Sequence, residues 1–303
     1  MTGAACIGEC MVELSERPDG SLVRGFGGDT LNTAVYLARL GVAVDYITAL
    51  GDDSLSEEMV ALWQAEGVGT SKVARLPGKL PGLYMIATDG AGERRFFHWR
   101  ESAAARSLLD LAETESLLQS LSSYDLVYLS AITLSIFTES GRGRLFSALR
   151  QARQRGSRIA FDTNFRARGW PDPNIARAAF DSAFAIADIV LASTEDLLPL
   201  YPYGSDSRLL ERIHCNEAVL KLLRPSSIVR FEGVSQQIDA EPVTAPVVDT
   251  TAAGDSFAAA YLAARLGGAA PKEAARAGHR LASVVVCHPG AIIPRSAMPG
   301  KIA

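Results

Sequence analysis

An α/β fold is what the sequence predicts: a mainly parallel central sheet flanked by helices, with a small β-sheet lid. Three observations carry this expectation. Short apolar runs alternate with helical patterns through most of the 303 residues, a rhythm that favours parallel strands covered on both faces. One early stretch breaks it, with two β-like runs around a Gly-rich turn and no helix of its own. The composition is that of an ordinary globular chain, 48% apolar and 21% charged.

Residues 4–8 read as a first buried strand. Residues 29–40 read as a helix, with Leu31, Ala34, Val35 and Ala38 on one face and Gly41 as its stop. Residues 42–50 form the next strand and 124–130 another. Leu145, Ala148, Leu149 and Ala152 line a helix ended by Gly156. Residues 158–162 are expected as a strand, 174–187 as a helix and 189–192 as a strand. Short strands follow at 218–222 and 228–231. Phe257, Ala260, Tyr261 and Ala264 line a helix that stops at Gly267 and Gly268. The lid hairpin is expected from residues 83–88 and 94–100 around a turn at 89–92, with strands 11–16 and 22–26 beside it. The expected organisation is one domain over residues 1–303, with a lid from about 11–27 and 82–101. Sheets of this kind bind ligands at the carboxyl ends of their strands.

Thirty Lys+Arg against thirty-four Asp+Glu leave a formal net charge of −4. That balance argues against a nucleic-acid or anionic-membrane surface. No stretch approaches the ~18–20 apolar residues that a bilayer span needs; the longest candidate, 183–192, contains Asp188. The first ten residues lack the basic start and apolar stretch of a secretory signal. Cys6, Cys10, Cys215 and Cys287 show no disulfide or metal spacing. The expected location is cytoplasmic, with thiols reduced.

The strongest chemical signal is the stretch Val248-Asp249-Thr250-Thr251-Ala252-Ala253-Gly254-Asp255-Ser256-Phe257. A turn of small residues runs straight into an amphipathic helix. The first-turn N–H groups of a helix are unpaired, and the dipole adds positive charge there. Small side chains let a phosphate approach them. A carboxylate at the same mouth repels phosphate, yet it suits a base that takes a proton from an attacking hydroxyl. The alternative is a plain helix N-cap, and from the residues alone the two stand level. The Gly27-Gly28-Asp29 turn carries the same two readings, a substrate-binding turn or a cap on the helix starting near Asp29.

The 249–257 stretch resembles the C-terminal signature D-T-x-G-A-G-D of the ribokinase-like (PfkB) carbohydrate kinases. Gly27-Gly28-Asp29-Thr30-Leu31-Asn32 is similar to that family's N-terminal glycine-pair motif. Within the family the chain looks closest to bacterial 2-keto-3-deoxygluconate kinases. That narrower match rests on Ile7 to Leu14, Arg24 to Thr33, Pro81 to Tyr84, Phe97-His98-Trp99-Arg100, Asp162-Thr163-Asn164-Phe165-Arg166 and Gly290 to Pro294.

The resemblance implies ATP- and Mg²⁺-dependent phosphorylation of 2-keto-3-deoxy-D-gluconate at its terminal hydroxyl. The alternatives are a neutral-sugar kinase of the fructokinase or ribokinase type, and a non-catalytic sugar-acid sensor. It implies Asp255 as general base, and the N–H groups of Ala252, Ala253 and Gly254 as the hole for developing negative charge. Most of the family has Gly at position 252; the narrower group is similar in having Ala, which adds about 1 kcal/mol of strain if the backbone there is left-handed. Gly27, Gly28, Asp29 and Asn32 would contact sugar hydroxyls. Tyr84, Arg100 and Arg166 would contact the sugar acid, since a guanidinium grips a carboxylate with two hydrogen bonds. His98 stands where the resembled kinases have Tyr, and an imidazole can donate a hydrogen bond and bring positive charge. Ser193, Lys221, Gly254, Gly278 and His279 are the implied nucleotide-side residues, with Asp196 at the position tied to Mg²⁺. A helix start also explains Ser193 to Asp196. A monovalent cation beside residues 249–254 and a homo-oligomer formed through the lid, where Phe96, Phe97 and Trp99 lie, complete the expectation.

Overall fold

The first strand shows how the layers arise. In β1 (Ala4–Ile7) every residue is buried. Ala5 and Ile7 enter one core and Ala4 and Cys6 the other, as the two-residue period of a strand dictates. The computed structural model describes residues 3–17, 19–88, 94–202, 204–243 and 245–300.

After β1 come β2 (Met11–Glu16), β3 (Leu22–Gly27) and α1 (Asp29–Arg39). Gly41, at φ +85, ends that first helix as expected. β4 (Val44–Leu50) begins two residues later than expected, because Val42 N still bonds Leu37 O in the helix-ending turn. α2 (Ser54–Ala65), which the sequence reading missed, is capped by Asp53, whose side chain accepts from Leu55 N and Ser56 N. β5 (Val73–Arg75), β6 (Leu83–Thr88) and β7 (Arg94–Trp99) follow. The expected turn at 89–92 lies outside the described residues.

Next are α3 (Thr114–Ser120), β8 (Leu126–Ser130), α4 (Ala131–Ile136), α5 (Glu139–Gln154), β9 (Arg158–Asp162) and α6 (Pro173–Ile186). Then come β10 (Ile189–Ser193), α7 (Thr194–Leu197), α8 (Asp206–Glu211), β11 (Glu217–Lys221), β12 (Ser226–Phe231) and β13 (Val234–Asp239). β13 escaped the sequence reading because only Ile238 in it is buried. The chain closes with α9 (Ala253–Leu266) and α10 (Pro271–Val285).

Among the described residues, nine strands form one sheet in the order β13-β12-β11-β10-β9-β8-β1-β4-β5. Every pairing from β5 to β11 is parallel; β11–β12 and β12–β13 are antiparallel. One face carries Phe161, Phe180 and Phe184 in edge-to-face contact, a geometry worth about 0.5–1.5 kcal/mol per pair beyond burial. The other carries Tyr46 and Tyr128 from the strands with Tyr36 of α1 and Tyr261 of α9.

A second sheet has the order β3-β2-β6-β7. Its register sets Glu13 opposite Gly25 on one side and Tyr84 on the other, with His98 opposite Tyr84. Among the described residues no helix is long and apolar enough to cross a membrane.

Candidate active site

The parallel strands deliver their carboxyl ends to one edge, and the chain's polar residues gather there. β9 ends at Asp162, β10 at Ser193 and β11 at Lys221. Ala252 precedes α9 with φ 59 and ψ 15, so its backbone is left-handed. Gly254 leaves room beside Lys221: a Cβ at 254 would lie 3.6 Å from the lysine Nζ. The Ala253 N–H donates to Thr250 O at 3.2 Å, while the helix N-terminus and the Lys221 ammonium converge beside Gly254, where no side chain intrudes, which suits a phosphoryl group.

Asp255 lies in the first turn of α9. Its Oδ2 accepts from Asn32 Nδ2 at 2.8 Å, and its backbone oxygen accepts from Thr33 Oγ1 at 3.3 Å. Burial, reinforced by the neighbouring Asp29 carboxylate, pushes its carboxyl up to about 8, against the Asn32 hydrogen bond and the Lys221 charge. Asp162, 3% exposed, is pushed up to about 6, first by burial, with the nearby Lys221 charge opposing. Its Oδ2 meets Lys221 Nζ at 3.4 Å and Tyr128 Oη at 3.4 Å.

Gly28, not Asp29, is the N-cap of α1; its backbone is extended and supplies no side-chain cap. A side chain at Gly28 would collide with Glu9 O. Asp29 is the first helical residue, and its Oδ2 accepts from Asn164 Nδ2 at 2.8 Å. The Asn164–Asp29 and Asn32–Asp255 pairs are bridged by Thr33 Oγ1, which lies 3.1 Å from Asp29 O and 3.3 Å from Asp255 O.

The second sheet brings Tyr84, His98 and Arg100 to the same region. Tyr84 Oη donates to Glu13 Oε2, and a side chain at Gly27 would collide with that hydroxyl. The Tyr84 and His98 rings stack, with centroids 6.0 Å apart. Burial, with Arg100 and Arg168 nearby, holds the His98 pKa below the usual range and disfavours its charged form. Arg100 Nη2 pairs with Glu9 Oε2, and the side chains are 17% and 1% exposed. Arg166 follows β9 with its side chain 62% exposed; Nη1 donates to Phe165 O at 2.8 Å and lies 3.4 Å from Asp196 Oδ1.

The expected nucleotide-side residues each have partners within the chain. Asp196 is buried, and its oxygens accept from Thr163 Oγ1 at 2.9 Å, Phe165 N at 3.0 Å and Arg166 Nη1. It clamps the 163–166 loop. Ser193 Oγ caps α7 by accepting from Asp196 N at 3.0 Å, the helix-start role. Gly278 is a packing glycine: a Cβ there would come 2.7 Å from Phe257 Cδ2, where α10 crosses α9. His279 shares a hydrogen bond with Ser227 Oγ at 2.9 Å and lines an open cavity of about 860 Å³ with Asp239, Arg276, Arg280 and Ser283. Among the described residues no group of three or more His, Cys, Asp or Glu is arranged to hold a metal ion.

The family model for "pfkB family carbohydrate kinase" matches residues 1–298. The chain belongs to this family. It is 44% identical over 305 aligned positions to a 2-dehydro-3-deoxygluconokinase of Dickeya dadantii, covering 97% of this chain and 98% of that one. A 2-dehydro-3-deoxygluconokinase of Escherichia coli K12 is 42% identical over the same shares. A fructokinase of Vibrio alginolyticus is 29% identical over 84% of this chain and 81% of its own. The crystal structure of fructokinase with bound ATP from Xylella fastidiosa superposes with a TM-score of 0.85 at 22% identity, over 100% of this chain and 97% of that one. The fold is therefore ribokinase-like, with a large, mostly parallel sheet and a smaller second one, as the resemblance implied.

As a pfkB-family kinase, the chain places both expected motifs at one edge, joined by the Asn32–Asp255 bond. Three contributing residues went unassigned in the sequence reading: Glu9, Glu13 and Asn164. All lie inside stretches that carried the resemblance, but which partner each takes depends on the register between sheet and lid.

Proposed function

We propose that this chain transfers the γ-phosphoryl group of ATP to the terminal hydroxyl of 2-keto-3-deoxy-D-gluconate, giving 2-keto-3-deoxy-6-phosphogluconate. The observation that carries the reaction is Asp255, a partly buried carboxyl with a raised pKa beside the first N–H groups of α9. A base near neutrality suits a proton transfer in the transition state. Asp255 takes the hydroxyl proton as the O6–P bond forms and the bridging P–O bond to ADP breaks. The N–H groups of Ala252, Ala253 and Gly254, with Lys221, hold the charge on the moving phosphoryl group. Gly27, Gly28, Asp29 and Asn32 hold the sugar hydroxyls, with Asn164 steadying Asp29. His279 and the cavity beside α10 receive the nucleotide base. Magnesium, when bound with ATP, screens phosphate charge; it commonly keeps several waters and takes few protein ligands.

The exposed guanidinium of Arg166 at the sheet edge favours an acid over a neutral sugar, as do the full-length relatives at 42–44% identity named for the keto-deoxy acid. Arg100, Tyr84 and His98 close over the sugar from the lid, and Phe96, Phe97 and Trp99, exposed by 41%, 47% and 57%, form its contact with a second copy of the chain. A monovalent cation sits beside the 249–254 turn; Asp249 braces that turn by accepting from Thr251 N and Gly290 N, and rates in K⁺ against Na⁺ test it.

ADP release measured with the keto-deoxy acid, fructose and ribose tests the reading. The acid is expected as the preferred substrate. Arg166→Ala is expected to raise KM for the acid by about 10–100-fold, the value of a charge-assisted hydrogen bond, and to leave neutral sugars nearly unchanged. Equal effects on both classes would reject the carboxylate assignment.

A further inference from the structure

The lid places a glutamate behind a tyrosine in a way that limits what the tyrosine can offer. Glu13 on β2 and Tyr84 on β6 are direct cross-strand partners. Tyr84 Oη donates to Glu13 Oε2, and Glu13 Oε1 accepts from Ser15 Oγ at 2.9 Å. A phenol has one proton and two lone pairs. That proton is held on Tyr84, because burial and the adjacent Glu13 charge raise its pKa. The oxygen itself lies against Gly27, two residues before Asp29 at the start of α1. What remains for a ligand at this point is a lone pair, backed by a carboxylate. An anionic carboxylate brought here meets like charge and no donor. A hydroxyl meets an acceptor.

We propose that Glu13 is a specificity-determining positioning residue: it fixes the Tyr84 hydroxyl as an acceptor, so that Tyr84 reads a sugar hydroxyl and not the carboxylate. This rests on the sugar-acid kinase reading above. It divides the labour in that site, with Arg166 taking the acid group and Tyr84 the polyol end. Tyr84 therefore differs from the sequence-based expectation in what it recognises, not in where it stands.

The test compares KM for four probes: the keto-deoxy acid, its methyl ester, and its 4-deoxy and 5-deoxy analogues. Tyr84→Phe is expected to raise KM about five- to tenfold for the acid, one neutral hydrogen bond. The same factor is expected for the ester, and a factor near one for one of the deoxy analogues. Glu13→Leu should shrink the Tyr84→Phe penalty at least threefold in a double-mutant cycle. A Tyr84→Phe penalty that vanishes with the ester would show that Tyr84 donates to the carboxylate and would overturn the proposal. A penalty that persists with both deoxy analogues would overturn it in favour of packing, as would additive effects of the two substitutions. If Glu13→Leu fails to fold, the analogue series with Tyr84→Phe alone still decides. Turnover of the acid by the unaltered chain is scored separately, so a failure of the kinase reading is distinguishable from a failure of this one.

Discussion

Asn32 Nδ2 donates to Asp255 Oδ2 at 2.8 Å across a sequence separation of 223 residues. One amide thereby joins the first turns of α1 and α9, the two helices that carry the sugar-side and phosphate-side motifs. The bond favours the charged form of a carboxyl that burial and Asp29 oppose. Removing it should make Asp255 harder to ionise. Asn32→Ala is expected to shift the acid limb of the kcat/KM pH profile to higher pH. An unshifted limb would mean that Asp255 does not set it.

The neighbouring charges supply a pair of opposite shifts. Asp29 raises the Asp255 pKa and Lys221 lowers it. A base works when deprotonated, so activity rises with pH through its pKa. Asp29→Asn should therefore move the limb to lower pH and Lys221→Met to higher pH. Both substitutions also disturb binding, so the position of the limb, and not its height, is the measurement that decides.

Asp255 should cost stability. Its folded pKa, about 8, lies above the ordinary carboxyl value of 3.8. Between those values the folded chain binds more protons than the unfolded one, so this group's contribution to stability falls as pH rises. Asparagine at 255 has an amide oxygen for Asn32 and no charge to bury. Asp255→Asn is expected to lose about 10²–10⁴-fold in kcat, the range of general-base catalysis. It should also resist urea better than the parent chain, with a gap that widens from pH 5 to pH 8 and closes below pH 4. A stability gap independent of pH would mean that the carboxyl is not strained by ionisation.

Much of this was legible in the sequence, for identifiable reasons. The 248–257 stretch and the glycine pair are defined by backbone needs, small residues and a left-handed turn, which sequence records directly. Strands β1, β9 and β10 are buried apolar runs and were found nearly to the residue. β13 was not, because its residues are mostly polar and exposed and only its pairing with β12 makes it a strand. Acids at a helix start look the same in sequence whatever they face, so the bonds that Asp196 accepts from Thr163 Oγ1 and Phe165 N are not legible there. The close approach of Gly278 to Phe257 is likewise invisible in the local sequence. Contacts of that kind are fixed by packing between elements, which no local pattern reports.

Ala252 stores a small strain that its replacement should release. Its φ of 59 is one that glycine adopts freely and alanine does not. Ala252→Gly is expected to stabilise the chain by about 0.5–1 kcal/mol, since the roughly 1 kcal/mol of relieved strain is partly offset by a more flexible unfolded chain. The N–H donor survives, so kcat should stay within about twofold. Urea midpoints and single-turnover rates check both halves, and a large loss of rate would show that the methyl group itself contributes.

The Glu9–Arg100 pair makes the last prediction, because its two members are so unequally buried. Glu9 is 1% exposed and Arg100 17%; Glu9 Oε1 and Arg100 Nε are buried and lack partners among the described residues. Burial raises the Glu9 pKa, and Arg100 is the largest influence holding it down. Taking the arginine away leaves a buried carboxylate with only the weaker influence of Arg106, and breaking a buried pair in this way typically costs up to about 3–5 kcal/mol. The carboxyl can escape that cost only by taking up a proton. The stability deficit of Arg100→Ala should accordingly be large at pH 8 and narrow as the pH falls, because the variant's folded state then binds a proton that the unfolded chain binds only at lower pH. Adding Glu9→Gln should restore most of the lost stability at pH 8, since a neutral amide needs no counter-charge. Urea denaturation of the three variants at pH 5 and pH 8 makes the comparison, and equal deficits at both pH values would mean that Glu9 is not held charged by Arg100.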